Sequence, residues 1–247
     1  MVRYAICVFI ALTFVSPAWQ VFYHGIDLHA DWRTARRDSA HIAPDPKITK
    51  EAIIQVYSAP AFNWRKIFST HTWIAVKPKD ADAYTVFQVI GWRLFALLPP
   101  LVKEKDIPDR YWFNEKPMVI LDIRGQRAEE LIPRVMAAAD KYPYANSYEL
   151  WPGPNSNTFT AYIARQVPEL RLTLPSNAIG KDYLPHGFFA RSPSGTGYQL
   201  SIYGVFGIML AVREGLEINF LSFVYGVSPY QCAVKLPGVG DVGVYVD

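Results

Sequence analysis

The sequence predicts an α+β fold: an N-terminal apolar helix, then an antiparallel sheet with helices packed on it. Three observations carry this. Residues 70–77 alternate, with Thr72, Ile74 and Val76 on one side and His71, Trp73 and Ala75 on the other, which is the period of a strand. Ala128, Leu131, Ile132, Val135, Met136, Ala139 and Tyr142 recur at helical spacing. Residues 4–22 are nearly all apolar and carry no charge. The chain has 247 residues, enough for one well-filled core, and 51% of them are apolar, which excludes a disordered body. A net charge of +3 without a long basic run argues against nucleic acid as a partner.

The N-terminus reads as an address. Residues 1–24 form a signal-anchor helix or a cleaved signal peptide. Ser16-Pro17-Ala18 offers small residues to a peptidase, whereas Trp19, Val21 and Phe22 continue the apolar run and favour an uncleaved anchor. Either way the expectation is a protein at the cell membrane, with its body on the exported (periplasmic) side. Residues 25–50 are polar and contain Pro44 and Pro46, so they read as a linker, and residues 51–247 as a single α+β domain. His24, Asp27, His29 and Asp31 cluster in the linker without a familiar ligand spacing, so no metal is expected, and nothing calls for another cofactor. Cys7 lies in the apolar N-terminus, which leaves Cys232 without a disulfide partner.

Along the body, Ala52–Ser58, Thr70–Lys77, Tyr84–Trp92 and Met118–Ile123 read as strands, with Lys79–Asp82 as a hairpin loop and Pro99, Pro100 and Pro108 marking a loop. The helix around Ala128–Tyr142 ends at Pro143, and Pro133 must sit early in it or kink it. A second helix runs from Ser156 to Val167, before Pro168. The last third contains two apolar runs, Tyr198–Val212 and Glu217–Val227. Each is too short to span a membrane, so they read as core strands, with a membrane-lying hairpin as the other reading. Pro237–Gly243 reads as turns; it lacks the strand-then-helix context of a phosphate loop.

The functional signal lies in Tyr148–Phe159. Pro154 precedes Asn155-Ser156-Asn157, and a helix follows, so the N–H groups and the dipole favour an anion there. A Ser at this point is a nucleophile if a base reaches it, and His71 is the best base. Gln88 on the next strand is the leading orienter of that imidazole, with Asn114 and Asp122 behind it. The plainer reading makes Ser156 an N-cap and His71 a structural histidine. Trp73, Tyr148, Trp151, Asn155 and Asn157 then line a groove for an envelope lipid or peptide. No Gly-x-Ser-x-Gly elbow surrounds Ser156, which disfavours an α/β-hydrolase.

Asp31–Ser39, Gln55-Val56-Tyr57, His71–Lys77, Val89–Trp92, Trp151–Phe159, Ala178–Tyr183, Ser192–Gly197 and Arg213–Asn219 together resemble a bacterial family known only as domain of unknown function 3750. The likeness covers roughly residues 30–240 and implies a membrane-associated or exported protein, with no established activity. His71-Thr72-Trp73-Ile74 on an early strand, with Asn155–Phe159 opening a later helix, is also similar to permuted papain-like domains, the PPPDE and lecithin:retinol-acyltransferase-like proteins. That resemblance sets His71 at their base and Ser156 at their Cys. The departure matters, because a hydroxyl is a much poorer nucleophile than a thiol. Three readings follow: a binding module, a Ser-dependent acyl hydrolase, acyltransferase or amidase, and a structural envelope protein.

Overall fold

A computed structural model describes residue 21 and residues 31–243, and residues 31–243 form two antiparallel sheets and two α-helices. The expected anchor at residues 1–24, Cys7 and most of the His24–Asp31 cluster lie outside the described residues. Among the described residues, no helix is long and apolar enough to cross a membrane.

The first sheet has the order β4-β3-β2-β1-β5, from β1 (Ile53–Pro60), β2 (Thr70–Lys77), β3 (Thr85–Val89), β4 (Leu101–Lys105) and β5 (Met118–Arg124). The alternation of β2 decides what lies on each face. Ile74 and Val76 point toward α1 (Gln126–Asp140) and α2 (Ser156–Gln166) and join Phe159, Ile163 and Val135 in one core. Trp73 and Ala75 point the other way, into a second core with Tyr57, Tyr84, Trp112 and Phe113. The expected strand Tyr84–Trp92 ends at Val89, and residues Gly91–Ala96 turn into a 3-10 helix. The stretch expected as loop after Pro100 holds β4, an edge strand whose Lys103, Glu104 and Lys105 are exposed, as edge strands usually are.

The described part of the expected linker, residues 31–50, packs onto the second core. Ala35 is buried there, Ser39 Oγ donates to Asp109 at 2.8 Å, and the Tyr84 hydroxyl donates to the Pro44 carbonyl at 3.0 Å.

The second sheet has the order β12-β11-β10-β9-β8-β7-β6, running from β6 (Phe189–Arg191) through β7 (Gly197–Ile202), β8 (Phe206–Ala211), β9 (Gly215–Phe220), β10 (Phe223–Ser228) and β11 (Ala233–Leu236) to β12 (Gly240–Gly243). Its register lines side chains into rows on the outer face. One row is Leu200–Ile208–Ile218–Tyr225; another is Tyr198–Leu210–Leu216–Val227–Val234–Val242; a third is Ile202–Phe206–Phe220–Phe223. The inward face is polar instead. Glu217 takes Lys181 Nζ at 2.5 Å and Lys235 Nζ at 2.6 Å, all three buried, and Arg165 donates to Gln199 Oε1 at 2.8 Å. The apolar runs expected to be core strands are therefore strands of an inverted sheet. Their polar residues meet the body, because Lys181, Asp182 and Arg165 already stand there, and their apolar residues face out.

Candidate functional site

Helix α2 begins where the sequence reading set it, but its cap is Asn155. The Asn155 side-chain oxygen accepts from the backbone N–H of Asn157 and Thr158, and Thr158 Oγ1 accepts the Asn155 N–H in return, a closed capping box. Ser156 is thus the first helical residue. This corrects the reading of Ser156 as N-cap: the cap needs an extended residue, and Asn155 at φ −141° and ψ −165° is that residue. Among the described residues the Ser156 hydroxyl makes no hydrogen bond, and it stands at the helix start where N–H groups favour negative charge.

Both flanking asparagines are committed internally. Asn155 Nδ2 donates to the carbonyls of Leu150 and Ile179 at 3.2 and 3.1 Å. Asn157 Nδ2 donates to those of Thr70 and Ile179 at 2.9 and 2.8 Å, while its Oδ1 accepts from Thr72 Oγ1 at 2.9 Å. They hold α2 to β2 and to the segment around Ile179, and leave Ser156 as the uncommitted member of the triplet. Gly180, at φ +100°, makes this possible: a Cβ there would stand 2.4 Å from the Asn155 amide.

His71 sits near the start of β2, on the face away from α2. Its ring is stacked on Trp112, with centroids 3.7 Å apart, and lies 5.5 Å from the Trp73 ring. Nε2 is buried without a hydrogen-bond partner. Burial pulls the imidazole pKa down to about 3, against an opposing pull from the Gln88 side chain, so the ring is neutral at physiological pH. Gln88 is thus the polar neighbour of His71. The other two suggested orienters are corrected. Asn114 Oδ1 accepts the Arg36 N–H at 2.6 Å, and Asp122 lies on β5, across β1 from β2, tied to Arg124 and Gln55.

The structure brings His71, Tyr148, Trp151, Asn155, Ser156 and Asn157 to the wall of one cavity of about 600 Å³. Ser156 and His71 share this wall without a hydrogen bond between them. Trp73 is not on the wall. It is buried behind His71 with its indole N–H on the Pro108 carbonyl at 2.7 Å. The aromatic part of the remaining wall was missed by sequence reasoning: Phe62, Trp64, Phe68, Trp92, Phe95, Trp112 and Phe223. Several of these sit in 3-10 turns or loops, where no periodicity marks them; their only signal is aromatic density between Phe62 and Phe68 and between Trp92 and Phe95. Tyr148 packs so closely on Gly91 that a Cβ there would stand 2.3 Å from its ring. Among the described residues, no group of three or more His, Cys, Asp or Glu is placed to hold a metal ion.

A family model described as "Protein of unknown function (DUF3750)" matches residues 51–183. The match contains the first sheet, both helices and every wall residue named above except Phe223. It is narrower than the expected span of residues 30–240. No curated protein and no solved structure matches the chain.

Proposed function

This chain belongs to the DUF3750 family of proteins of unknown function, and on that premise we propose that it is a binding module for a molecule with an apolar chain and one polar head. The single observation that carries this is the composition of the cavity wall. It is dominated by aromatic and aliphatic side chains, with a few polar groups among them: the Ser156 and Tyr148 hydroxyls and the Arg65 guanidinium, while His71 Nε2 is buried. An apolar pocket with a few convergent polar groups is the usual form of a small-molecule site. An acyl chain would lie against Trp64, Phe68 and Trp92, and its carbonyl or hydroxyl would meet Ser156. The envelope lipid expected as a ligand suits this wall, whose aromatic side chains would take its acyl chain.

The test is a titration of the full chain with a brominated fatty acid, read by tryptophan fluorescence. Trp64, Trp92, Trp112 and Trp151 line the cavity, so saturable quenching is expected. It should vanish in Leu150→Arg, which sets a charge in the wall. Quenching that never saturates, or that Leu150→Arg leaves intact, removes the proposal.

One observation favours a second reading, a Ser-dependent acyl hydrolase. Ser156 stands at a helix start with its hydroxyl free and a neutral histidine on the same wall. The permuted papain-like comparison draws its support from the same pairing and from chain order. Against it, a base works best with a pKa near the working pH, and His71 is far below that. Labelling by a fluorophosphonate that disappears in Ser156→Ala would favour hydrolysis; absence of labelling would leave the binding module alone.

A further inference from the structure

We propose that the outer face of the seven-stranded sheet rests on a lipid bilayer, embedded to side-chain depth. This goes beyond the cavity and does not depend on what the cavity holds.

The face is apolar by construction. Leu200, Ile208, Leu210, Ile218, Val227 and Val234 are 48–69% exposed. At a strand spacing of about 4.8 Å, three such rows make a patch on the order of 500 Å², toward the upper end of what soluble monomers expose. The acidic and basic residues Glu217, Lys235 and Asp241 of these strands belong to the polar inward network instead. An ordinary amphipathic sheet does the reverse, so the alternation is set for an apolar medium outside.

Three features select lipid over a second protein surface. First, specific protein interfaces carry roughly one hydrogen bond per 100–200 Å², and the central rows of aliphatic side chains offer nothing to fix a register. Second, exposed Arg191 ends β6 and pairs with Tyr198, itself 53% exposed, at one end of the strands. Arginine and tyrosine at one edge of an apolar surface suit the headgroup boundary and attract anionic lipid. Third, the other end is continuous with more exposed apolar surface. Phe223 closes the third row, lines the cavity and touches Phe68. At the cavity wall, Phe95 is 92% exposed.

The test uses the full chain with Cys7→Ser and Cys232→Ser, carrying Leu210→Cys, Ile208→Cys or, on the exposed side of α1, Glu129→Cys. Each is labelled with a small environment-sensitive fluorophore and reconstituted in vesicles of phosphatidylcholine and phosphatidylglycerol. The expected result at both sheet positions is loss of most of the emission when nitroxide-bearing phosphatidylcholine is included, with little quenching by iodide, and the opposite pattern at position 129. Iodide quenching at the sheet positions would overturn the proposal, because the face would then be open to water. Protection from both quenchers would also overturn it, because protein, either a second copy or residues 4–22, would then cover the face. Two sheet positions guard against a single substitution that disturbs folding.

Discussion

The His71 imidazole lies flat on the Trp112 indole, centroids 3.7 Å apart and planes 10° from parallel. This stacking explains the neutrality of the ring. One face is covered by an indole and Nε2 has no partner, so a positive charge would be stranded.

That relationship makes stability depend on pH. Unfolded, His71 takes up a proton below about 6.5; folded, it resists until about 3. Between these values the unfolded chain binds the extra proton, so the stability contributed by His71 is present above about pH 6.5 and lost as pH falls toward 3. The loss amounts to a few kcal/mol, at about 1.4 kcal/mol per pH unit. Urea titrations across this window should show the slope, and His71→Phe should flatten it. An unchanged slope in His71→Phe would mean that the ring is not buried neutral.

The helix start separates two adjacent residues sharply. Asn155→Ala removes the cap and leaves the Leu150 and Ile179 carbonyls without that donor, and should cost about 1–2 kcal/mol or more. Ser156→Ala removes a hydroxyl with no hydrogen bond and should change stability by no more than about 0.5 kcal/mol. Thermal denaturation of the two variants checks this. Equal losses would restore Ser156 as a structural cap.

Gly91→Ala should damage the cavity from behind. Its Cβ would meet the Tyr148 ring at 2.3 Å, so the ring must shift toward the cavity. We expect about 1–3 kcal/mol of destabilisation, as for other overpacked sites, together with weaker quenching by the brominated fatty acid. Gly91→Ala that binds as the parent does would mean that Tyr148 does not shape the wall.

The inverted sheet is tied down by charge. Burial alone would raise the Glu217 carboxyl, but Lys181 and Lys235 outweigh it and hold its pKa below the ordinary value. Glu217→Gln leaves two buried ammonium groups poorly paired and should cost roughly 3–5 kcal/mol. The lowered Glu217 pKa adds stability above the ordinary carboxylate range that is lost as pH falls through its folded value. Limited proteolysis of residues 198–243 in acid should therefore accelerate in the parent. Lack of acceleration would mean that the network does not hold the sheet.

Much of the first sheet was legible because each face of β2 meets its own core, so alternation and packing agree. Strand β4 was hidden by Pro99 and Pro100 and by the charges of an edge strand. The orientation of the second sheet was not legible, since alternation in Leu216–Phe220 is the same whichever face is inside. Lys181 and Asp182, far away in sequence, decide it. For the site, the pairing of His71 and Ser156 on one wall was legible, but the assignment of the cap to Asn155 depended on backbone angles. Trp112 stacked on His71 had no sequence signal at all, being brought there by a loop.

The most direct test of the central claim is photo-crosslinking of the full chain with a diazirine-bearing fatty acid, followed by peptide mapping. A cavity that binds an acyl chain predicts adducts within residues 61–71, 89–95 and 148–157, competed away by unlabelled fatty acid. Adducts confined to residues 198–227, or insensitive to competition, would contradict it.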